Sequence, residues 1–266
     1  MANNMKTIYT IASLFLLVFG YDVSYAWGTK GHQIVAEIAR RQLEPKASAR
    51  IAALLPGSIA DEASWADSHR NDPEYTFTDA YHTMAMNHDL AYDPGWRMWR
   101  GGDCVTGLDW LDYSLSNQER LHLSDSVKLF QIRMLLHIIG DMHCPGHAYI
   151  MPEENHWDCS FQGETTTYHA VIDKAPKIMY GSLSATEIAS TLDTFPASEI
   201  EQCCYGDFTD WAQDCCTRAG ALYNINPLYT TTLADDTLEK LTPVLEESLK
   251  VSGYRLGYLL NKYFNY

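Results

Sequence analysis

Positive charge is scarce in this chain: 19 lysines and arginines stand against 34 aspartates and glutamates in 266 residues, a formal net charge of −15. Such a surface repels nucleic acid in general, so a polyanionic substrate would need a local positive site to draw it. Beyond the first 26 residues no window reaches the ~18 consecutive apolar residues that a membrane helix needs, which argues against an integral membrane protein. No Pro/Gly/Ser-rich linker or charge run divides the chain, so a single domain is expected. Sustained apolar/polar alternation is missing as well, which excludes a large sheet. There is no Asn-x-Ser/Thr sequon, so N-glycosylation is not expected. CxxC spacing is also absent, and the doublets Cys203-Cys204 and Cys215-Cys216 are poorly placed to hold one ion.

What is present begins with Lys6 ahead of the apolar run Ile8 to Gly20, followed by the small-x-small site Ser24-Tyr25-Ala26. This reads as a secretory signal over residues 1–26, cleaved after Ala26, with a secreted domain over 27–266. Loss of Lys6 and Asp22 together leaves the net charge unchanged. The seven cysteines, Cys104, Cys144, Cys159, Cys203, Cys204, Cys215 and Cys216, all follow that point, and in a secreted chain disulfides are the default expectation. An odd count leaves at least one unpaired, and Cys144 is the first candidate.

The stretch Met134 to Ala148 places His137, Asp141 and His147 within eleven residues. Val127, Phe130, Met134, His137 and Asp141 recur at spacings of 3, 4, 3 and 4, which predicts a helix from Ser124 to Met142 with these residues on one apolar stripe facing the core. A buried carboxylate needs a partner, and the i, i+4 relation lets His137 and Asp141 grip one ion. Pro145 ends the helix and turns His147 away. Further helices are expected from His32 to Leu43, Ala47 to Leu55, around Asp67, and from Val105 to Leu121. Others are expected through His169 and Asp173, and over Ser184 to Leu192, Ala197 to Tyr223 and Thr237 to Phe264. The segment ending at His82, rich in aromatics and threonine, reads as extended chain. Leu90 to Asp103 reads as a loop anchored by Trp96 and Trp99, and the segment from Pro152 to Gly163 as a polar loop. The fold class is all-α, one domain with long loops.

Collected together, the ligand candidates are His32, Asp67, His82, His137, Asp141, His147, His169 and Asp173. Five imidazoles and three carboxylates suit zinc, and eight side chains exceed one tetrahedral site; two ions are the minimum and three fit if a carboxylate bridges. His69, His88, His122, His143 and His156 have no comparable pairing and read as surface groups or as supports behind the ligands.

The chain resembles the zinc-dependent class I nucleases and 3'-nucleotidases, single-strand-specific enzymes related in fold to zinc phospholipase C. The matching pieces are Trp27-Gly-x-x-Gly-His32, Ser64-Trp-Ala-Asp67 with Arg70, His82, the segment Leu135 to His147, His169-x-x-x-Asp173 and the closing Gly253 to Asn261. The resemblance implies three zinc ions. Asp67, His82, His137 and Asp141 would hold the first. Trp27, through its free amine and carbonyl oxygen, would join His32 and the shared Asp141 on the second. His147, His169 and Asp173 would hold the third. Two ions sharing Asp141 can lower the pKa of a water toward neutrality, and Arg70 stands at the position of the family's phosphate contact. The implied activity is cleavage of single-stranded DNA and RNA and of 3'-mononucleotides to 5'-phosphate and 3'-hydroxyl products, by a monomer without a stable protein partner.

Three departures accompany the resemblance. The family's base-stacking aromatic and its base-bonding Asp or Asn correspond to Thr83 and Ala85, and only Asn155 remains of the pocket's Gly-Gly-Asn. Cys144 and Gly146 replace the usual Gln and Leu. Two competing readings share the ligands: a zinc phospholipase C, which would need an aromatic cage for choline, and a secreted zinc-binding protein without catalysis. Arg70 beside the cluster favours the nucleotide phosphate.

Overall fold

In the computed structural model, residues 27–95, 101–150 and 157–266 are described; Trp96, Trp99, Asn155, His156 and the N-terminal residues 1–26 lie outside them. Helix α6, Asp125–His143, runs through the middle, and the Ser124 side chain caps it by accepting from the Val127 backbone N–H. Its surroundings differ from the expected stripe. Val127 is exposed and Phe130 half-buried, whereas Ile132, Leu135, Leu136, Ile138 and Ile139 have no exposed surface. The second half of the helix is therefore buried all round, the position of a helix enclosed by others. His137 and Asp141 share that dry interior.

Helix α1, Gly28–Arg41, packs beside α6 and against the last helix, α11, Thr237–Phe264. Its start is unusual: Trp27 has φ +36° and Gly28 φ +51°. A Cβ on Gly31 would lie 2.6 Å from that of Trp27, so only glycine lets the buried indole fold back over the first turn. Ile34 and Ile38 are fully buried, each contributing ~1.5–3 kcal/mol. Arg40 and Arg41 in the last turn complement the helix dipole.

Around this pair stand α2, Pro45–Leu54; α3, Ile59–Glu62; α4, Trp65–His69; α5, Cys104–Ser116; α7, Tyr168–Tyr180; α8, Ala185–Leu192; α9, Ala197–Cys203; and α10, Phe208–Ile225. The all-α expectation holds. Among the described residues no helix is long and apolar enough to cross a membrane.

Four local expectations are corrected. The chain before His82 is not extended but a 3-10 helix, Thr76–His82, followed by a two-residue strand β1, Met84–Ala85, that pairs in parallel with β2, Ala148–Tyr149. The helix expected over Ala197 to Tyr223 is two, because Gly206 takes φ +96° and Asp207 builds a capping box with Asp210 at the start of α10. Helix α5 stops at Ser116, before the expected Leu121. Part of the supposed polar loop is a hairpin of β3, Asp158–Phe161, and β4, Glu164–Thr167, turned at Gln162 and Gly163, both with positive φ as a tight hairpin turn requires.

The seven cysteines are also unlike the expectation. All are free thiols, six of them buried, and the Sγ atoms of Cys203 and Cys204 stand 3.9 Å apart, against ~2.05 Å for a disulfide. They fill the interior as small apolar residues do.

Candidate metal centre

Five of the candidates meet where α1, α4, the 3-10 helix and α6 converge. Asp141 is completely buried and its two oxygens face different rings. Oδ1 lies 3.1 Å from His32 Nε2, while Oδ2 lies 2.8 Å from His82 Nδ1 and 3.2 Å from His137 Nε2. Asp67, on α4, brings Oδ1 to 3.3 Å from His137 Nε2 and 3.8 Å from His82 Nδ1. The rings of His32 and His137 stack at 4.2 Å. Gly140 makes this possible: a Cβ there would sit 2.5 Å from His32 Nδ1.

Backbone carbonyls orient the imidazoles. His137 Nδ1 lies 3.1 Å from the Ala63 carbonyl, and His147 Nδ1 lies 2.6 Å from that of His82. Donation through Nδ1 leaves the Nε2 lone pair facing the cluster, the arrangement found behind metal-bound histidines. Buried atoms without a hydrogen bond collect here: both oxygens of Asp67 and Asp141, both ring nitrogens of His32, and Nε2 of His82 and His147. The ring-to-carboxylate approaches of Asp67 and Asp141 are ion-pair contacts that lack hydrogen-bond geometry. Buried polar atoms are seldom left so, and a cation would satisfy this set together.

The electrostatics agree. Burial opposes charge on Asp141, yet His137, His32 and His82 hold its carboxyl well below the usual range. Burial likewise works against His137, but Asp141 and Asp67 push it well above an ordinary imidazole. Without a cation, a proton on His137 balances the carboxylates. Two donor sets have their atoms within 4.8 Å of one another here: His32, Asp67 and His137, and His82, His137 and Asp141.

A third set lies beyond Pro145. Its members are Cys144, His147 and Asp173, again within 4.8 Å. Asp173, on α7, has Oδ1 3.7 Å from His147 Nε2 and Oδ2 3.0 Å from His169 Nε2. The His147 and His169 rings stack at 4.9 Å, and His169 Nδ1 lies 3.2 Å from the Gly146 carbonyl. Burial lowers His147 to about 4, so it is neutral and ready to bind a cation. Cys144, expected only as an unpaired thiol, was not among the ligand candidates; its replacement of the usual Gln was the signal that could have found it.

The structure therefore brings all eight side-chain candidates into one buried region. Trp27 is there too, fully buried, with its carbonyl accepting from the Gly31 N–H at 3.2 Å. Arg70 sits at the edge, where its Nε and Nη2 donate to Asp79 Oδ1 at 3.0 and 2.7 Å. Burial opposes its charge, but Asp79, Asp67 and Asp141 hold it firmly protonated. Asp79 has no counterpart among the candidates, since nothing in its sequence neighbourhood marks it. His143, unlike a surface group, is buried between the Ile139 carbonyl and Arg255, 2.8 and 2.9 Å away. Burial and the two nearby arginines, Arg255 and Arg218, hold its pKa well below normal. His88 and His122 are exposed, and His69 stacks on Trp65 at 4.2 Å.

Residues 27–265 match the S1/P1 Nuclease family model. The chain belongs to the S1/P1 nuclease family. It is 24% identical to Endonuclease 4 of Arabidopsis thaliana, over 90% of this chain and 89% of that protein. With Nuclease S1 of Aspergillus oryzae it shares 25% identity over 89% of this chain and 91% of the relative. With Endonuclease 3 of Arabidopsis thaliana it shares 25% over 96% and 95%. As an S1/P1 nuclease the chain is a hydrolase of phosphodiester bonds in nucleic acid, and the buried sets above are its candidate metal ligands. Thr83 and Ala85, where base contacts are expected, are buried, and Ala85 is tied into β1. Neither offers a ring to a base.

Proposed function

We propose that the protein is a secreted, zinc-dependent, single-strand-specific nuclease and 3'-nucleotidase that acts on DNA and RNA and holds three zinc ions. Asp67, His82, His137 and Asp141 would hold the first, Trp27, His32 and Asp141 the second, and His147, His169 and Asp173 the third. The observation that carries the reading is Asp141, whose oxygens face His32 on one side and His82 and His137 on the other. A carboxylate so placed is suited to serve two ions at once.

When bound, the ions would acidify water and neutralise phosphate charge. The chain does the positioning. His137 and His147, fixed through Nδ1 by carbonyls, keep Nε2 in one direction. The enclosing apolar residues of α6 exclude bulk water, which strengthens every charge interaction inside. Arg70 engages Asp79 through one edge of its guanidinium and can turn its other N–H groups to the nonbridging phosphate oxygens. With Thr83 and Ala85 offering no base clamp, selectivity depends on the phosphate.

Elemental analysis of the purified chain beginning at Trp27, with rates on single-stranded DNA, a 3'-mononucleotide and a lecithin control, tests this. About three zinc ions and nuclease activity are expected. One ion per chain, or cleavage of lecithin alone, would overturn it. The amino terminus gives a second check. If the Trp27 amine is a ligand, removal of residues 1–26 builds part of the site, and one extra residue ahead of Trp27 converts the amine to an amide that binds zinc poorly. Equal zinc content and rate in the two preparations would remove Trp27 from the ligand set.

A further inference from the structure

We infer that Cys144 is a fourth protein ligand of the third metal site, binding as a thiolate beside His147, His169 and Asp173. The inference rests on the metal-dependent reading above but goes beyond its ligand set.

The Cys144 Sγ is fully buried and lies 3.9 Å from Asp173 Oδ1, which in turn is 3.7 Å from His147 Nε2. Tetrahedral zinc with Zn–S of ~2.3 Å and Zn–N of ~2.0–2.1 Å spaces its ligand atoms by roughly 3.3–3.6 Å. The two separations above exceed that range by a few tenths of an ångström, and Cys144, His147 and Asp173 offer donor atoms that all lie within 4.8 Å of one another. His147 Nε2 is buried without a hydrogen-bond partner, and its ring is already aimed by the His82 carbonyl.

The local chain geometry explains how the sulfur arrives there. Cys144 closes α6 with an extended backbone, φ −70° and ψ 113°, before the 3-10 turn Pro145–His147. Gly146 leaves the room: a Cβ at that position would meet Ile172 Cγ2 at 3.1 Å and Cys144 Sγ at 3.7 Å. Glycine here spares the tight approach to Ile172 and leaves only an ordinary contact with the sulfur. The two departures in the central motif, Cys144 and Gly146, meet in one small volume, where a sulfur stands in place of an amide.

The consequence concerns the kind of site. Four protein ligands are the number found in closed, structural zinc sites, whereas open catalytic sites keep a position for water or substrate. A thiolate also favours soft ions over magnesium or manganese. Binding releases the thiol proton to solvent. The third ion should therefore serve the fold and be held more selectively than the pair around Asp141.

Zinc-edge X-ray absorption on the metal-loaded full chain tests this directly. One sulfur per chain at ~2.3 Å from zinc is expected, lost in Cys144→Ser, whose zinc content should fall from about three to about two. Cobalt loading gives an independent reading: a thiolate-to-cobalt charge-transfer band in the wild-type protein that the Cys144→Ser variant lacks. If that variant does not fold, the wild-type sulfur shell and band decide alone. Zinc coordinated only by nitrogen and oxygen in the wild type, or a sulfur shell that persists in Cys144→Ser, overturns the inference and leaves the zinc reading standing. A protein that binds no zinc at all overturns both.

Discussion

The two halves of the metal centre are built from the same residue types but supported differently. Around Asp141 the donors come from α1, α4, the 3-10 helix and α6, four separate elements converging on the most enclosed helix. Beyond Pro145 the donors come from one turn and one face of α7, where His169 and Asp173 are already neighbours at i, i+4. The first half depends on the whole fold being in place. The second is a local device, and a local device can change its ligands without disturbing the rest. The ligand side chains of the Asp141 half are those the resemblance implies, while the turn carries Cys144 and Gly146 where it implies Gln and Leu.

The comparison can be broken at its strongest point. Asp141→Asn should cost at least about a hundredfold in nuclease rate, more than the 10–100-fold typical of a lost supporting partner. His147→Ala should cost less, because the acidic and imidazole groups around Asp141 remain. Comparable rates for the two variants would show that the halves are equally essential.

A smaller perturbation uses the glycines. Gly140→Ala would drive a methyl against His32 Nδ1 at 2.5 Å, with backbone and ring both fixed. A loss of ~1–3 kcal/mol is expected, visible as a fall in Tm of several degrees together with lost zinc. Gly146→Ala meets Ile172 at 3.1 Å, and the side chain can yield, so the expected cost is under about 1 kcal/mol. Thermal melts of the pair would decide; equal losses would remove the contrast.

Acidity sharpens the comparison further. In the metal-free chain His137 has a raised pKa, so its contribution to stability is full below the unfolded value of ~6.5 and lost as pH climbs through the folded one. Asp141 is depressed, so its contribution is present above ~3.9 and lost as pH falls through its folded value. Chelated protein should be most stable between those limits and weaken on the alkaline side, whereas zinc-loaded protein should not. Melting curves across pH, with and without chelator, check this; a chelated protein whose Tm rises steadily above neutral pH would contradict it. The smallest effect concerns bases. With Thr83 and Ala85 buried, rates on the four homopolymers should differ by less than about a hundredfold, ~2.7 kcal/mol. A wider spread would reveal a base pocket elsewhere.

Much of this was legible because the strongest signals are local. Helix α6 follows from its spacing and from Ser124 at its start, and each His/Asp pair at i, i+4 announces its own face. What escaped is decided by tertiary context. Thr76–His82 carries the composition of a strand, yet it is held as a 3-10 turn that presents His82 to Asp141. The break before α10 hides in Gly206-Asp207, inside a run that otherwise reads as helix. The β3–β4 hairpin is short and polar, with only Gln162-Gly163 to mark its turn. The eight candidate side chains come together in one buried region, and Cys144 lies beside three of them through geometry that spacing alone does not display. The contact between Arg70, at the end of α4, and Asp79, inside the 3-10 helix, is likewise set by how two elements pack.

The packing of α1 on α11 makes the candidate metal centre depend on a helix that contributes none of its candidate ligands. Gly253 admits Ile38 so closely that an added Cβ would lie 2.4 Å from it, and Gly257 approaches the Ala39 carbonyl in the same way. Ser252 donates to the Ile139 carbonyl at 3.1 Å, midway in sequence between His137 and Asp141. Helix α11 is thus the brace for α1, and through it for the bearing of His32 on α6. A chain lacking that helix would carry the ligand candidates without the brace that holds them together. Chains ended before Gly253 should bind zinc without the stoichiometry of the full protein, and a titration of such fragments would show whether the centre depends on that brace.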